Sequence, residues 1–165
     1  MSIFPIWYCF EAGGTLFYPS TKEKLNLIHY IKQKKINIFC STPSLIDYFK
    51  NLNLLKKQSF LNIKLSVFCG EPFYINQFNL WSQVCKNSKI FNTYGPTECT
   101  VSCTLLRLDN EHYKKYCYQS VALGDVIPGM DLSLTQETNG NGEIILSGEQ
   151  VAEGYWQDKE GTKKS

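Results

Sequence analysis

Seven residues, Asn92-Thr93-Tyr94-Gly95-Pro96-Thr97-Glu98, put an aromatic ring, a Gly-Pro turn, a hydroxyl and a carboxylate side by side after an apolar run. Tyr94 can offer its ring face to a planar base, Thr97 a hydroxyl to a phosphate oxygen, and Glu98 a hard oxygen to magnesium. Together these groups suit a nucleotide with its metal. A plainer account uses the same residues: Gly95-Pro96 makes a turn, Thr97 caps the next element, Glu98 sits near a helix amino end, and Tyr94 is core. The residues alone leave both readings open. The common phosphate loops G-x-x-x-x-G-K-[ST] and G-x-G-x-x-G are absent, as are a G-x-S-x-G elbow and an H-E-x-x-H pair.

The elements that must hold this motif can be read from the flanking pattern. Gly14 to Tyr18 reads as a strand closed by Pro19, and Thr21 to Lys34 carries Leu25, Ile28 and Ile31 at helical spacing. Ile36 to Cys40 reads as a second strand, Pro43 starts a helix through Phe49, and Lys64 to Cys69 is a third strand. A helix from Phe73 to Val84 and a strand from Lys89 to Asn92 complete an alternation that favours parallel strands joined by right-handed crossovers. The expected class is α/β, about residues 1–96, with a β-rich portion after it, about residues 97–165. In that portion Val101–Leu108 and Asp131–Leu134 read as strands. Asn139-Gly140-Asn141-Gly142 then turns the chain into a return arm, Glu143–Leu146. Two sheets within one architecture are expected.

In such folds ligands bind beyond the carboxyl ends of the strands. Cys69-Gly70-Glu71-Pro72 and the Tyr94 motif would therefore border one crevice, with Gly70 and Gly95 letting backbone approach a ligand closely.

Charge and cysteine content narrow the function classes. Seventeen basic and fifteen acidic side chains in 165 residues leave a formal charge of +2, too balanced for a nucleic-acid footprint. Lysine pairs such as Lys34-Lys35, Lys56-Lys57 and Lys114-Lys115 read as solvated faces or loops. Cys9, Cys40, Cys69, Cys85, Cys99, Cys103 and Cys117 form no C-x-x-C pair, and His29 and His112, read as surface residues, are too few to complete a structural zinc site. The odd cysteine count, the absence of an N-x-[ST] sequon and the lack of a signal-like start imply a reducing cytoplasm. No apolar run approaches ~20 residues, so no membrane span is expected.

At these residues the sequence resembles the adenylate-forming superfamily, in particular the amino-acid adenylation domains of nonribosomal peptide synthetases and the D-alanine:carrier-protein ligases. Asn92–Glu98 resembles the N-x-Y-G-P-T-E core of that family. Gly142–Gly148 with Val151–Tyr155 resembles its G-E-[IL] and V-A-x-G-Y block, and Leu123–Gly129 the segment between. Ala12–Leu16, Ser41–Ser44 and Phe68–Glu71 fall in family order too.

The resemblance implies ATP and Mg2+ as cofactors. Tyr94 would stack on adenine, Asn92 would hydrogen-bond near its amino group, and Thr97 would meet the α-phosphate. Glu98 would hold magnesium, while Gly70, Glu71, Thr93 and Gly95 would line the nucleotide side. The implied reaction forms an aminoacyl-adenylate and transfers the acyl group to the phosphopantetheine thiol of a carrier protein. Residues that shape the amino-acid pocket in this family map to Cys40, Val67, Cys69, Thr93, Val101 and Ser102, all small or medium and uncharged. That set favours a small apolar side chain, D- or L-alanine.

The resemblance further implies that residues 1–165 are an incomplete adenylation domain. The family's phosphate loop, the F-D aspartate for the substrate ammonium, the ribose-binding aspartate of T-G-D and the C-terminal domain would fall outside it. The fragment alone is then expected to be inactive and prone to aggregation. Two other readings stand beside this one: an acyl- or aryl-acid-activating ligase of the same superfamily, and a noncatalytic truncated remnant.

Overall fold

The structure, a computed structural model, describes residues 3–56, 59–109, 113–139 and 141–164. Three helices come first: α1 (Ile3–Glu11), α2 (Thr21–Lys24) and α3 (Leu27–Gln33). Strand β1 (Ile38–Ser41), helix α4 (Ser44–Asn51), β2 (Leu65–Phe68), helix α5 (Ile75–Val84) and β3 (Lys89–Tyr94) then alternate. Strands β4 (Thr104–Leu108) and β5 (Asp125–Val126) come next, and β6 (Met130–Thr138), β7 (Asn141–Gly148) and helix α6 (Lys159–Lys164) end the chain.

Strands β1 to β5 form one sheet in sequence order, parallel from β1 to β3 and antiparallel from β3 to β5, while β6 and β7 make a separate two-stranded ribbon. The α/β class is thus as expected. The strand after the motif, however, extends the parallel sheet instead of founding a second one.

One sheet face carries the core. Register rows put Phe39, Ser66, Ile90 and Leu108 on the same face, and that face also holds Phe68 and Leu106. These residues pack with Ile46 and Phe49 of α4 and with Phe78 and Trp81 of α5. Both crossovers join neighbouring parallel strands, so their helices lie on this one side. Trp81 is its centre: its ring stacks on Phe39 at 5.0 Å, meets Phe68 edge-on at 5.6 Å, and its indole N–H donates to Ser66 Oγ at 2.9 Å. A buried indole needs such an acceptor.

Several sequence expectations are corrected. Residues 14–18 form no strand: they do not pair with the free edge at β1 or with any other described strand, and β propensity without a pairing partner does not make a strand. The helix expected over Thr21–Lys34 is two helices. The first opens with a Ser20–Glu23 capping box, and Asn26 leaves the helical region to recap the second by accepting from the His29 N–H. Helix α1 is hidden in the sequence by its aromatic and β-branched composition, and it tolerates Pro5 because the residue lies in the first turn. Strand β3 runs on through Tyr94, so the first three motif residues belong to the sheet. Strand β4 begins only at Thr104. The hairpin is tighter than expected, with strands reaching Thr138 and Asn141 and Asn139 at φ 54°, as a two-residue turn requires. His29 is exposed. His112, Lys57 and Gly140 lie outside the described residues.

Candidate functional site

Strands β2 and β3 lie side by side and end together, Phe68 opposite Asn92, so the loops that leave them diverge around a common opening. There a cleft of about 450 Å³ is lined by Gly70, Glu71, Phe73, Asn92, Thr93, Tyr94, Gly95 and Pro96 on one side. Ser120, Val121 and Leu123 complete it. That second wall is fixed by three hydrogen bonds: Val121 N–H to the Phe73 carbonyl at 2.7 Å, Asn92 Nδ2 to the Ala122 carbonyl at 2.9 Å, and Thr104 Oγ1 to the Leu123 carbonyl at 2.6 Å. Tyr94 is half-buried and lines the cleft. Of the residues expected to bind nucleotide, Thr97 alone does not line the cleft; it stands exposed on the next turn.

Glu71 has a structural task in this arrangement. Pro43, the residue before α4, makes no side-chain cap, and Glu71 accepts from the Ser44 N–H and from Ser44 Oγ, each at 3.1 Å. A carboxylate at a helix amino end is favourable, so the loop after β2 is tied to the loop after β1.

Gly95 is required by packing. A Cβ there would come 2.7 Å from the Val101 carbonyl oxygen and 2.8 Å from the Cys103 nitrogen, so the chain can double back on itself only over glycine. The residues between form a short 3-10 turn, Thr97–Cys99, closed by Thr100 and Val101 at φ 57° and 82°. Two successive β-branched residues in that region store backbone strain, which persists only where surroundings over-determine it.

Here the surroundings are a strap, residues 148–155, laid over the turn. The Ala152 N–H donates to the Glu98 carbonyl at 2.7 Å, Thr100 Oγ1 to the Gln150 carbonyl at 3.0 Å, and the Tyr155 hydroxyl to the Glu98 carboxylate. The phenol, and after it the residue's own N–H, holds the Glu98 carboxyl below the usual glutamate range.

The six residues expected to shape a substrate pocket divide into two groups. Cys40 and Val67 share one register row with Phe91, and Thr93 and Cys69 continue on that face, opposite the helices. Val101 and Ser102 sit on the strained turn, joined to this face by a contact of 3.9 Å from Cys69 Sγ to the Val101 carbonyl. Thr93 donates its hydroxyl to the Phe68 carbonyl. The sheet therefore sets the side chains of Cys40, Val67, Cys69 and Thr93 on the face opposite those of Asn92 and Tyr94, with Thr93 at the strand end also lining the cleft.

With this geometry in place, the relatives can be compared. The profile of the family described as AMP-binding enzyme matches residues 1–156. The chain belongs to this family. Among curated AMP-binding relatives, the D-alanine--D-alanyl carrier protein ligase of Staphylococcus epidermidis is 33% identical over 166 residues, covering 98% of this chain and 33% of the relative. That of Bacillus licheniformis is 29% identical over 175 residues, covering 100% and 34%. The crystal structure of IdnL7 superposes with a TM-score of 0.85 at 27% identity, over 93% of this chain and 32% of that one. The Vibrio cholerae adenylation domain AlmE, in complex with glycyl-adenosine-5'-phosphate, superposes at 0.73 and 24% identity over 88% and 29%, which supports the fold. The chain spans about a third of the length of the relatives it matches.

Two parts of the site are not legible in the sequence. The Ser120–Leu123 wall lies in a segment without helical or strand periodicity, though Gly124 marks its end. Tyr155 stands in a block that resembles the family, with no task of its own; only its contact with Glu98, 57 residues away, reveals one.

Proposed function

We propose that this chain supplies the nucleotide-binding core of an ATP-dependent ligase that activates a small apolar amino acid, alanine being the first candidate, and passes it to a carrier-protein thiol. The observation that carries this reading is the convergence of Asn92, Tyr94 and the Gly70–Glu71 loop on one cleft, with Glu98 on the turn that leaves it. Asn92 Nδ2 donates to the Ala122 carbonyl, and its Oδ1 is an acceptor suited to the exocyclic amino group of a purine. Tyr94 offers the stacking face.

Glu98 fits a magnesium ion in a particular way. Among the described residues no group of three or more His, Cys, Asp or Glu could cage a metal. A single ionised carboxylate beside a nucleotide cleft suits an ion that arrives on phosphate oxygens, as magnesium does. When bound, the ion supplies charge neutralisation at the phosphates.

The chain's own residues bind and orient. An amino-acid carboxylate oxygen attacks the α-phosphorus, the bond to pyrophosphate breaks, and a thiolate then takes the acyl group as AMP leaves. Thr97, exposed beside Glu98, offers its hydroxyl to the phosphate oxygens in the first step. The uncharged set Cys40, Val67, Cys69, Thr93, Val101 and Ser102 favours a small side chain, in keeping with the D-alanine named for the curated relatives. Seven free thiols and no helix long and apolar enough to cross a membrane among the described residues suit a reducing cytoplasm.

The deciding measurement is amino-acid-dependent exchange between pyrophosphate and ATP by an enzyme that carries this chain together with the remaining two-thirds found in the relatives. Exchange with D- or L-alanine is expected. A preference for a bulky, charged or aryl substrate overturns the pocket assignment, and no exchange with any amino acid overturns the activity.

A further inference from the structure

The strap over the Glu98 turn does more than cover it. Two of its contacts, Ala152 to the Glu98 carbonyl and Thr100 to the Gln150 carbonyl, join backbone to strap, and their task is to dock it. The third reaches the functional atoms: the Tyr155 hydroxyl donates to Glu98 Oε1. Tyr155 is itself set in place from behind, since its backbone N–H donates to Thr162 Oγ1 at 2.9 Å and that hydroxyl donates to the Asp158 carbonyl at 2.7 Å. The phenol is thus delivered by a small built unit at the start of α6, and Gly154 at φ 148° lets the chain pass Thr162 closely.

We propose that Tyr155 is a positioning residue for Glu98, its hydroxyl fixing the orientation of the carboxylate so that the remaining lone pairs meet a divalent cation. This rests on the reading of Glu98 as the cation's protein ligand. An ionised carboxylate has about four acceptor sites; the phenol occupies one and leaves the others for an ion. Partners of this kind set the direction of a ligand atom, and their loss lowers metal affinity by about 10- to 100-fold.

The test uses an enzyme that carries this chain together with the remaining two-thirds found in the relatives, with ATP and with Mn2+ read by electron paramagnetic resonance. Tyr155→Phe keeps the ring and removes the donor. It is expected to weaken Mn2+ binding in the presence of ATP about tenfold while leaving metal-free ATP affinity as in the wild type. Thr100→Ala removes a docking contact of the same strap without touching the carboxylate, and is expected to leave Mn2+ affinity unchanged. As a second readout, the ring-carbon resonance of Tyr155 next to its hydroxyl, assigned by its loss in Tyr155→Phe, is expected to shift when Mg2+ and ATP are added. Equal losses in Tyr155→Phe and Thr100→Ala reduce Tyr155 to a docking contact and overturn the proposal, as does an unchanged Mn2+ affinity in Tyr155→Phe. If Glu98→Gln binds Mn2+ as the wild type does, or the wild type binds none, the metal reading of Glu98 itself is what fails.

Discussion

Asn92 donates through Nδ2 to the carbonyl of Ala122, 30 residues later, at 2.9 Å, joining the floor of the cleft to its far wall. Asn92→Ala removes one half-buried hydrogen bond whose carbonyl water can reach, so a stability loss of about 0.5–1.5 kcal/mol is expected in urea unfolding. Asn92→Asp sets a carboxylate against that carbonyl and should be worse for nucleotide affinity. An Asp variant that binds ATP as the wild type does would show that the wall is not held this way.

Tyr94 is the ring expected to carry the purine. Replacing a stacking aromatic by alanine costs about 1–3 kcal/mol per base, about 5- to 150-fold in affinity, whereas Tyr94→Phe keeps the face. Titration with a fluorescent ATP analogue separates the two. Equal losses for Phe and Ala would move the interaction from the ring to the hydroxyl.

The two motif glycines should fail for different reasons. At Gly95 a methyl group collides with the backbone of residues 101–103, so Gly95→Ala is an overpacking change expected to cost about 1–3 kcal/mol or more. At Gly70 the space is open, with only Thr42 Cγ2 at 3.7 Å, and the cost is that of φ +91° for an L side chain, about 1–2 kcal/mol. Thermal unfolding of both variants should place Gly95→Ala below Gly70→Ala. The reverse order would mean that the turn relaxes freely.

Ser66 is fully buried beneath Trp81. Ser66→Ala strands the indole N–H and should cost about 1–3 kcal/mol, while Trp81→Ala opens the core and should cost about 3–5 kcal/mol. Denaturant midpoints decide, and a neutral Ser66→Ala would indicate a replacement acceptor.

Burial pushes the thiols of Cys40 and Cys103 up to about 11, and that of Cys85 higher still. The folded chain therefore keeps these thiols protonated where the unfolded chain, ionising near pH 9, releases its protons. The contribution is complete below pH 9 and is lost as pH rises from there through about 11. Urea midpoints should fall over that window, and less steeply for Cys85→Ala; identical slopes would contradict it.

The motif's place is legible in the sequence, since an apolar run followed by Gly-Pro marks a strand end beside a turn, while residue type alone leaves its chemistry open between a nucleotide site and a plain turn. The parallel β-α-β-α-β run is legible too, since amphipathic helices such as Ser44–Asn51 and short apolar strands such as Leu65–Phe68 declare themselves locally. What escapes depends on distant partners. Residues 14–18 look like a strand but pair with none of the described strands, and Ser120–Leu123 looks like nothing yet walls the cleft. Gly95 stands out for close approach, but the neighbour that demands it is the chain's own backbone at Val101–Cys103. Glu71 reads as a cleft residue; its bond to Ser44, 27 positions earlier, adds a capping task that no local pattern carries.

The contact between Glu98 and Tyr155 spans 57 positions of chain, whereas β6 and β7 are joined by a two-residue turn. Closing so long a loop is entropically slower than zipping a hairpin, which takes microseconds. The ribbon should therefore be complete before its trailing end finds the turn, and the cleft beside Tyr94 should exist first in an unlatched form. Refolding monitored by hydrogen exchange should protect the Leu132–Leu146 pairing early and the Ala152 amide last. The final event of maturation would then be the arrival of the phenol at Glu98.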